Sequence, residues 1–549
     1  MSQLFDRHHA LLSEALGAMK TREFWTPFPE VPSGRFYGET ARQDGEAAFK
    51  ALIGKPFEIA DHPQETSVGK EDSPWGLPLD LTYPAATPKT LIEASEKAFV
   101  AWSETSVETR VGVLLETLVR LNRMSFLIGH ATVHTTGQAF PMAFQAGGPH
   151  AQDRGLEAVA AAYGEMTATA RDAVWTKPQG KQAPLVLEKH WQIVPRGIAL
   201  TIGCNTFPTW NGYPGLFASL ATGNTVIVKP HPMAILPLAI TVKVLREVLA
   251  EENLPADTIL LAADEPDIPV TKELVTAPEV RIIDYTGSSA FGGWIRANAG
   301  EAFVFAEETG VNSVVVTGTD SFRAMCANLA FSVSLYSGQM CTSPQNIYVP
   351  KDGIGTDEGH KSFDEVIEGL SAAIDELLAD PKQASGVCGT IVNPASLARL
   401  EEARAAGRVL RDSTQTGTGR SATPLIIAVT EDDQTHRQEC FGPVVFAIPS
   451  ASAEDAIAQA SGIAKEKGAI TAALYATDPA LIAQAGKAFA RAGVNLSVNL
   501  TGNIYVNQSA AFSDFHVTGA NPAGNASLTD AAFVAPRFRR VMIRWQQTA

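Results

Sequence analysis

The chain has 549 residues, with 43 Lys plus Arg against 59 Asp plus Glu, a net charge of −16 and 45% hydrophobic residues. That length is too great for one compact core and points to about two to four domains, and the apolar fraction excludes wholesale disorder. The acidic balance argues against nucleic acid as the main partner, because phosphate binding needs clustered Lys and Arg. No apolar run reaches the roughly 18 residues of a membrane span. The N-terminus has neither an uninterrupted apolar segment nor a cleavage site, so a cytoplasmic location is expected.

Residues 1–86 are rich in Pro, Gly and aromatics and read as an irregular N-terminal extension with one short helix around 46–54. Thr87 and Pro88 then form an N-cap and a first-position proline. Leu91, Ala94, Ala98 and Ala101 follow at helical spacing, and a second amphipathic helix runs through Val111, Leu114, Leu115, Leu118 and Leu121. These two helices are expected to form an outer layer. The segment at about 172–196 reads as a projecting hairpin.

From Ile198 the pattern becomes short apolar runs at 198–204, 225–229, 258–263, 281–287 and 303–307, separated by helical stretches such as 237–253. Continuous apolar strands with helical crossovers indicate a parallel sheet covered on both faces, so 87–309 is read as a doubly wound α/β domain, the one to which the resemblance given below assigns dinucleotide binding. A second alternation over 310–510 predicts another α/β domain. The tail, 511–549, is loop-rich and ends in the apolar-basic run Val541–Trp545. An exposed terminal strand of that kind calls for pairing with another chain, and a homodimer or homotetramer is expected.

The five cysteines, at 204, 326, 341, 388 and 440, form neither a metal-ligand pattern nor a disulfide framework, so no metal is expected. Cys341 differs from the rest. It lies in LYSGQMCTSPQN, flanked by Gly338, Gln339, Thr342 and Ser343, a small, polar, turn-prone setting unlike core filling. Around it stand CNTFPTWNGYPGLFASLATGNTVIVKPHP, YTGSSAFGG, VFAEETGVN and, after the cysteine, ECFGPVVF.

In order and spacing these segments resemble the aldehyde dehydrogenase superfamily from about 87 to 507. Residues 135–159 and 203–224 further resemble its phenylacetate-degradation PaaN-type branch. The superfamily resemblance implies two doubly wound α/β domains with a small bridging element. It also implies NAD(P)-dependent oxidation of an aldehyde to the acid, and the branch suggests a CoA-linked semialdehyde from aromatic ring degradation. Cys341 would be the nucleophile, giving a thiohemiacetal and, after hydride transfer, a thioester.

The resemblance distributes further roles. An Asn donor to the oxyanion is found at Asn205. Counting back from Lys229 without a gap puts Thr206 there instead, and a one-residue bulge restores Asn205, whose amide is the better donor. The hydrolytic base falls on Glu307, which lies five residues before Asn312 and 34 before Cys341, with Glu308 as a structural or solvated acid. Lys229 and His231 would meet the adenosine ribose side, Gly287 and Ser288 the pyrophosphate, and Glu439 and Phe441 the nicotinamide ribose and ring. Pro232 stands where many NAD-dependent relatives carry a ribose-binding Glu, so either NADP or NAD is accepted, with NADP slightly favoured. The usual Pro-Phe-Gly-Gly motif is replaced by something like ANPAGN. A CoA-acylating dehydrogenase and a catalytically silent scaffold are the alternatives, and Glu307 argues against the first.

Overall fold

The computed structural model describes residues 3–547 except 309, 418, 431 and 432. It begins with a helix, α1 (Gln3–Thr21), that buries Leu4, Phe5, His8, Leu12, Ala15 and Ala18. After a single helical turn at Gly34–Tyr37 comes a longer helix, α2 (Ala41–Leu52). The expectation of an irregular extension with one short helix is thereby corrected. The apolar stripe of α1 is broken to the eye by His8, but that ring is buried and lies 2.7 Å from the Glu116 carboxylate.

Helix α3 (Pro88–Glu104) starts at the Thr87 cap, whose side chain accepts from the Thr90 N–H. Helix α4 (Val107–Arg123) is not an outer layer: Leu114, Leu115, Leu118 and Leu121 are wholly buried. It is covered by α1 on one side and by α5 (Pro149–Thr167) on another. The close approach of α1 needs Gly112, where a Cβ would lie 2.5 Å from the Phe5 backbone nitrogen.

Strands β1 (Asp172–Gln179) and β2 (Gln182–Pro195) form an exposed antiparallel hairpin. The chain then enters the first sheet through β3 (Ile198–Ile202), α6 (Pro208–Ala221), β4 (Thr225–Lys229), α7 (Leu236–Glu251) and β5 (Ile259–Leu261). It continues through β6 (Val280–Gly287), α8 (Ser289–Asn298) and β7 (Phe303–Glu308). The strands are all parallel, in the order β5-β4-β3-β6-β7. Their near-continuous burial is what helices on both faces require.

The second sheet has seven strands. In chain order they are β8 (Ser313–Val316), β9 (Asn346–Pro350), β10 (Arg408–Arg411), β11 (Leu425–Ala428), β12 (Val444–Ser450), β13 (Thr471–Tyr475) and β14 (Asn495–Val498). In space they run β10-β11-β12-β9-β8-β13-β14, with only the β10–β11 pair antiparallel. No helix among the described residues is long and apolar enough to cross a membrane.

The last strand, β15 (Phe538–Gln546), pairs antiparallel with β2, from Phe538 opposite Pro195 to Gln546 opposite Leu187. This chain's own hairpin thus supplies the ladder on one edge of the terminal strand, while β15 remains the outer strand of that three-stranded sheet. Val541, Met542, Ile543 and Trp545 nevertheless stay 40–49% exposed, leaving apolar surface on that sheet.

Just before β15, buried Arg537 donates to both Asp284 oxygens, at 2.8 and 2.6 Å, and to Ser219 Oγ at 2.6 Å. Its guanidinium also lies over the Phe305 and Phe533 rings. Arg537→Met should therefore cost about 3–5 kcal/mol, because it leaves the Asp284 carboxylate buried without its partner. The measurement is the urea midpoint of unfolding, and adding Asp284→Asn should recover part of the loss.

Candidate active site

Cys341 follows a loop in which three successive residues, Tyr336, Ser337 and Gly338, have left-handed backbones with φ of 51°, 51° and 66°. Each non-glycine residue there costs of order 1–3 kcal/mol and persists only when its surroundings fix it. They do. Ser337 Oγ donates to the Cys388 and Ala422 carbonyls at 3.1 and 2.7 Å. Gln339 donates to the Tyr336 and Thr390 carbonyls and accepts from the Val392 N–H. A Cβ on Gly338 would collide with the Gly442 carbonyl, so the cysteine loop and the ECFGP turn are in close contact.

On the other side of the cysteine, Asn312 Nδ2 donates to the Cys341 carbonyl at 2.8 Å and to that of Ser343 at 3.0 Å. Gln345 holds the turn, accepting from the Cys440 N–H and donating to the Gln438 carbonyl. Arg399 fixes the Phe441 carbonyl. Glu439 is partly buried, and its charge reaches the Cys341 thiol.

Strand β7 alternates its two terminal glutamates. Glu307 is buried and turned toward the cysteine, and its carboxylate, Cys341 Sγ and a nitrogen of His516 lie within 4.8 Å of one another. Glu308 points to α8, where it pairs with Arg296. His516 Nε2 is 3.0 Å from Glu307 Oε1 and 3.6 Å from Cys341 Sγ. Asn211 Nδ2, on α6, donates to Glu307 Oε2 at 3.0 Å. The Trp210 ring meets His516 edge-on, with centroids 4.5 Å apart. Burial pushes the Cys341 thiol well above its usual value, and the facing Glu307 charge pushes it further. For Glu307, burial acts upward, but the His516 ring and the hydrogen bonds from His516 and Cys341 outweigh it and hold the carboxyl below its usual range.

Asn205 is half-buried, and its Oδ1 is buried without a hydrogen-bond partner among the described residues. The Thr206 hydroxyl faces the Cys204 sulfur at 3.9 Å, and the Thr206 carbonyl accepts from Gln138. Among the described residues no hydrogen bond joins either residue to Cys341 or Glu307. Cys204, its thiol pushed up to about 11 by burial, contacts Asn211 Oδ1 at 3.6 Å.

On the nucleotide side, Lys229 ends β4 and Asp264 follows β5. Their Nζ and Oδ1 atoms are 2.7 Å apart and both side chains are 2% exposed. Lys229 thus has a carboxylate partner in Asp264. Burial and then the Lys229 charge push the His231 imidazole down to about 4, and its Nδ1 accepts from the Met233 N–H. His231 is thus neutral near pH 7 and brings no cation for a 2′-phosphate. Gly287 ends β6, and Ser288 caps α8, accepting from the Phe291 N–H at an exposed helix start. These residues suit a dinucleotide: the capped α8 N-terminus can receive a pyrophosphate, and Lys229 with Asp264 offers a donor and an acceptor to a ribose at the carboxyl edge of the sheet.

The residues that sequence reasoning missed are His516, Asn211 and Asp264. Asn211 lies within a segment already singled out, and Asp264 within three residues of a predicted strand. Nothing near His516 in sequence points to Cys341, 175 residues away.

A doubly wound nucleotide sheet facing a cysteine on a strained loop, with a buried carboxylate across from it, is the frame of an oxidoreductase working through a covalent thiol adduct. The chain belongs to the aldehyde dehydrogenase family, whose model matches residues 82–524. An NAD-dependent aldehyde dehydrogenase from Burkholderia multivorans, known from its crystal structure, superposes with a TM-score of 0.98 at 51% identity over 100% of both chains. N-succinylglutamate 5-semialdehyde dehydrogenase from Paraburkholderia xenovorans is 27% identical over 73% of this chain and 79% of its own. The 1-pyrroline-5-carboxylate dehydrogenase of Bacillus subtilis is 25% identical over 94% and 96%. The protein is an aldehyde dehydrogenase of the NAD(P)-linked kind.

Proposed function

We propose that the protein oxidises a semialdehyde to its carboxylic acid with NAD as hydride acceptor, Cys341 acting as nucleophile and Glu307 as the base that activates water. The observation that carries this reading is the convergence of the Cys341 thiol and the Glu307 carboxylate within 4.8 Å, one fixed by its loop and the other by Asn211. NAD, when bound, would supply the hydride acceptor. Lys229, Asp264, Gly287 and Ser288 hold the adenosine and pyrophosphate end, and Glu439 and Phe441 hold the nicotinamide end. Asn205, whose neighbour Thr206 is already engaged, presents the amide for the oxyanion. Glu307 then takes a proton from water as it attacks the thioester.

Relatives named for a semialdehyde and for pyrroline carboxylate support the semialdehyde part. The CoA-linked, phenylacetate-derived substrate rests on the resemblance of 135–159 and 203–224. A panel of CoA-linked, N-succinylated and simple aldehydes, with acid and acyl-CoA assayed as products, tests both. Acyl-CoA formed from free CoA would favour the acylating alternative. The exposed apolar residues of β15 support a homo-oligomer, which light scattering would check.

NAD is favoured over NADP because Asp264 pairs with Lys229 at 2.7 Å, which leaves that lysine less free to meet a 2′-phosphate. Asp264→Asn, which keeps the shape and removes the charge, should therefore shift the NAD:NADP ratio of kcat/KM toward NADP by at least about tenfold, with Kd values from fluorescence quenching moving in parallel. A wild type that uses NADP as well as NAD would defeat this preference.

A further inference from the structure

We propose that His516 is a switching hydrogen-bond donor that passes its Nε2–H from the Glu307 carboxylate to the Cys341 sulfur as the thiol is deprotonated. This deepens the reading of Cys341 as nucleophile and rests on it. One ring nitrogen faces both groups, 3.0 Å from Glu307 Oε1 and 3.6 Å from Cys341 Sγ. The other, Nδ1, is buried and has no hydrogen-bond partner among the described residues. A proton on Nδ1 would have no acceptor, so the ring's hydrogen belongs on Nε2, next to the carboxylate. The ring is buried and braced edge-on by Trp210, which itself lies under the Arg154 guanidinium. Its place is therefore fixed by packing before substrate arrives.

The chemistry follows from that geometry. With Glu307 ionised, Nε2–H donates to the stronger acceptor, the carboxylate, and holds it toward the thiol. When an aldehyde is in place the Sγ–H bond breaks, and the proton goes to the Glu307 carboxylate. The electron pair left on sulfur forms the bond to the carbonyl carbon, and the carbonyl π pair moves to oxygen. Glu307 is now neutral and a weaker acceptor, whereas sulfur carries the charge until the bond is complete, so Nε2–H turns to sulfur. Glu307 returns its proton to solvent before it serves as base for thioester hydrolysis. The same donor thus aims the base in the resting site and stabilises the thiolate when it forms.

The test is the rate at which iodoacetamide alkylates Cys341 in the substrate-free protein, with the site read by peptide mass, alongside kcat/KM. His516→Phe keeps a ring and loses the donor. His516→Gln puts an amide N–H near the Nε2 position, whereas His516→Asn reaches only as far as Nδ1. Loss of a hydrogen bond to a charged group corresponds to roughly 10- to 100-fold. Alkylation and kcat/KM should fall by about that factor in His516→Phe and His516→Asn, and stay within about fivefold in His516→Gln. Should His516→Phe not fold, the Gln and Asn variants decide alone. Equal alkylation in all variants, or Gln as slow as Asn, would overturn the donor role and leave His516 a space-filling ring. Failure of Cys341 to be the labelled thiol in the wild type would overturn the reading of the nucleophile itself.

Discussion

Cys341→Ala should leave no measurable dehydrogenase turnover, a loss of at least about 10⁴-fold, while cofactor binding and the unfolding midpoint stay near the wild-type values. The substitution removes the only atom able to form the covalent adduct. Its small volume change falls on a half-buried side chain whose backbone is held independently by Asn312. The strained turn before it is fixed through Ser337 and Gln339 rather than through the cysteine side chain. NADH absorbance at saturating aldehyde reads the activity, and fluorescence quenching reads the cofactor. Turnover within about tenfold of wild type would remove Cys341 from the mechanism.

Glu307→Gln should separate the two halves of the reaction. A general base typically contributes 10²- to 10⁴-fold, so steady-state turnover should fall by about that much as the thioester accumulates. Gln cannot take the thiol proton either, so the first hydride transfer should rise more slowly. It should still deliver one reduced cofactor per site, seen as a stopped-flow burst. Glu308→Gln is the control. Its side chain points to the opposite face of β7, against Arg296 and α8, and hydrolysis should stay within a few-fold. A burst appearing in Glu308→Gln and absent from Glu307→Gln would shift the base by one residue.

Much of this architecture was legible from apolar periodicity. Runs of Val, Ile and Leu between helical stretches became all five strands of the first sheet and five of the seven in the second, β10 and β11 being unforeseen, and Thr87–Pro88 capped the helix it was expected to cap. Helix α1 was overlooked because its buried face includes a histidine, whose cost is offset by Glu116 more than a hundred residues on. The site was legible only where its parts carry local signatures. Cys341 sits in a small-residue turn, whereas Glu307 was picked out only because its spacing to Asn312 matches that of the family it resembles. The segments 135–159 and 203–224, singled out only by resemblance, turn out to hold Gln138, Arg154, Trp210 and Asn211, which wrap the Thr206 carbonyl, His516 and Glu307. Periodicity says nothing of such side-chain pairings, because they are made between faces that the fold brings together. Asp264 shows the same gap: nothing in Lys229 and Pro232 themselves brings in the acid after β5 that pairs with the lysine.

The segment that brings His516 into the site is threaded late and tied at many points. The Asn507 carbonyl accepts from Thr342, the Asn521 side chain spans Ala469 and Gly493, and the Glu308 N–H donates to the Ala523 carbonyl. Arg537 then closes it onto Asp284. The same stretch carries Phe512, Phe533, Val534 and Phe538 into the main core. His516 is therefore anchored on both sides by chain that the fold itself depends on, and withdrawing the ring from Cys341 and Glu307 by moving this segment would mean opening part of that core.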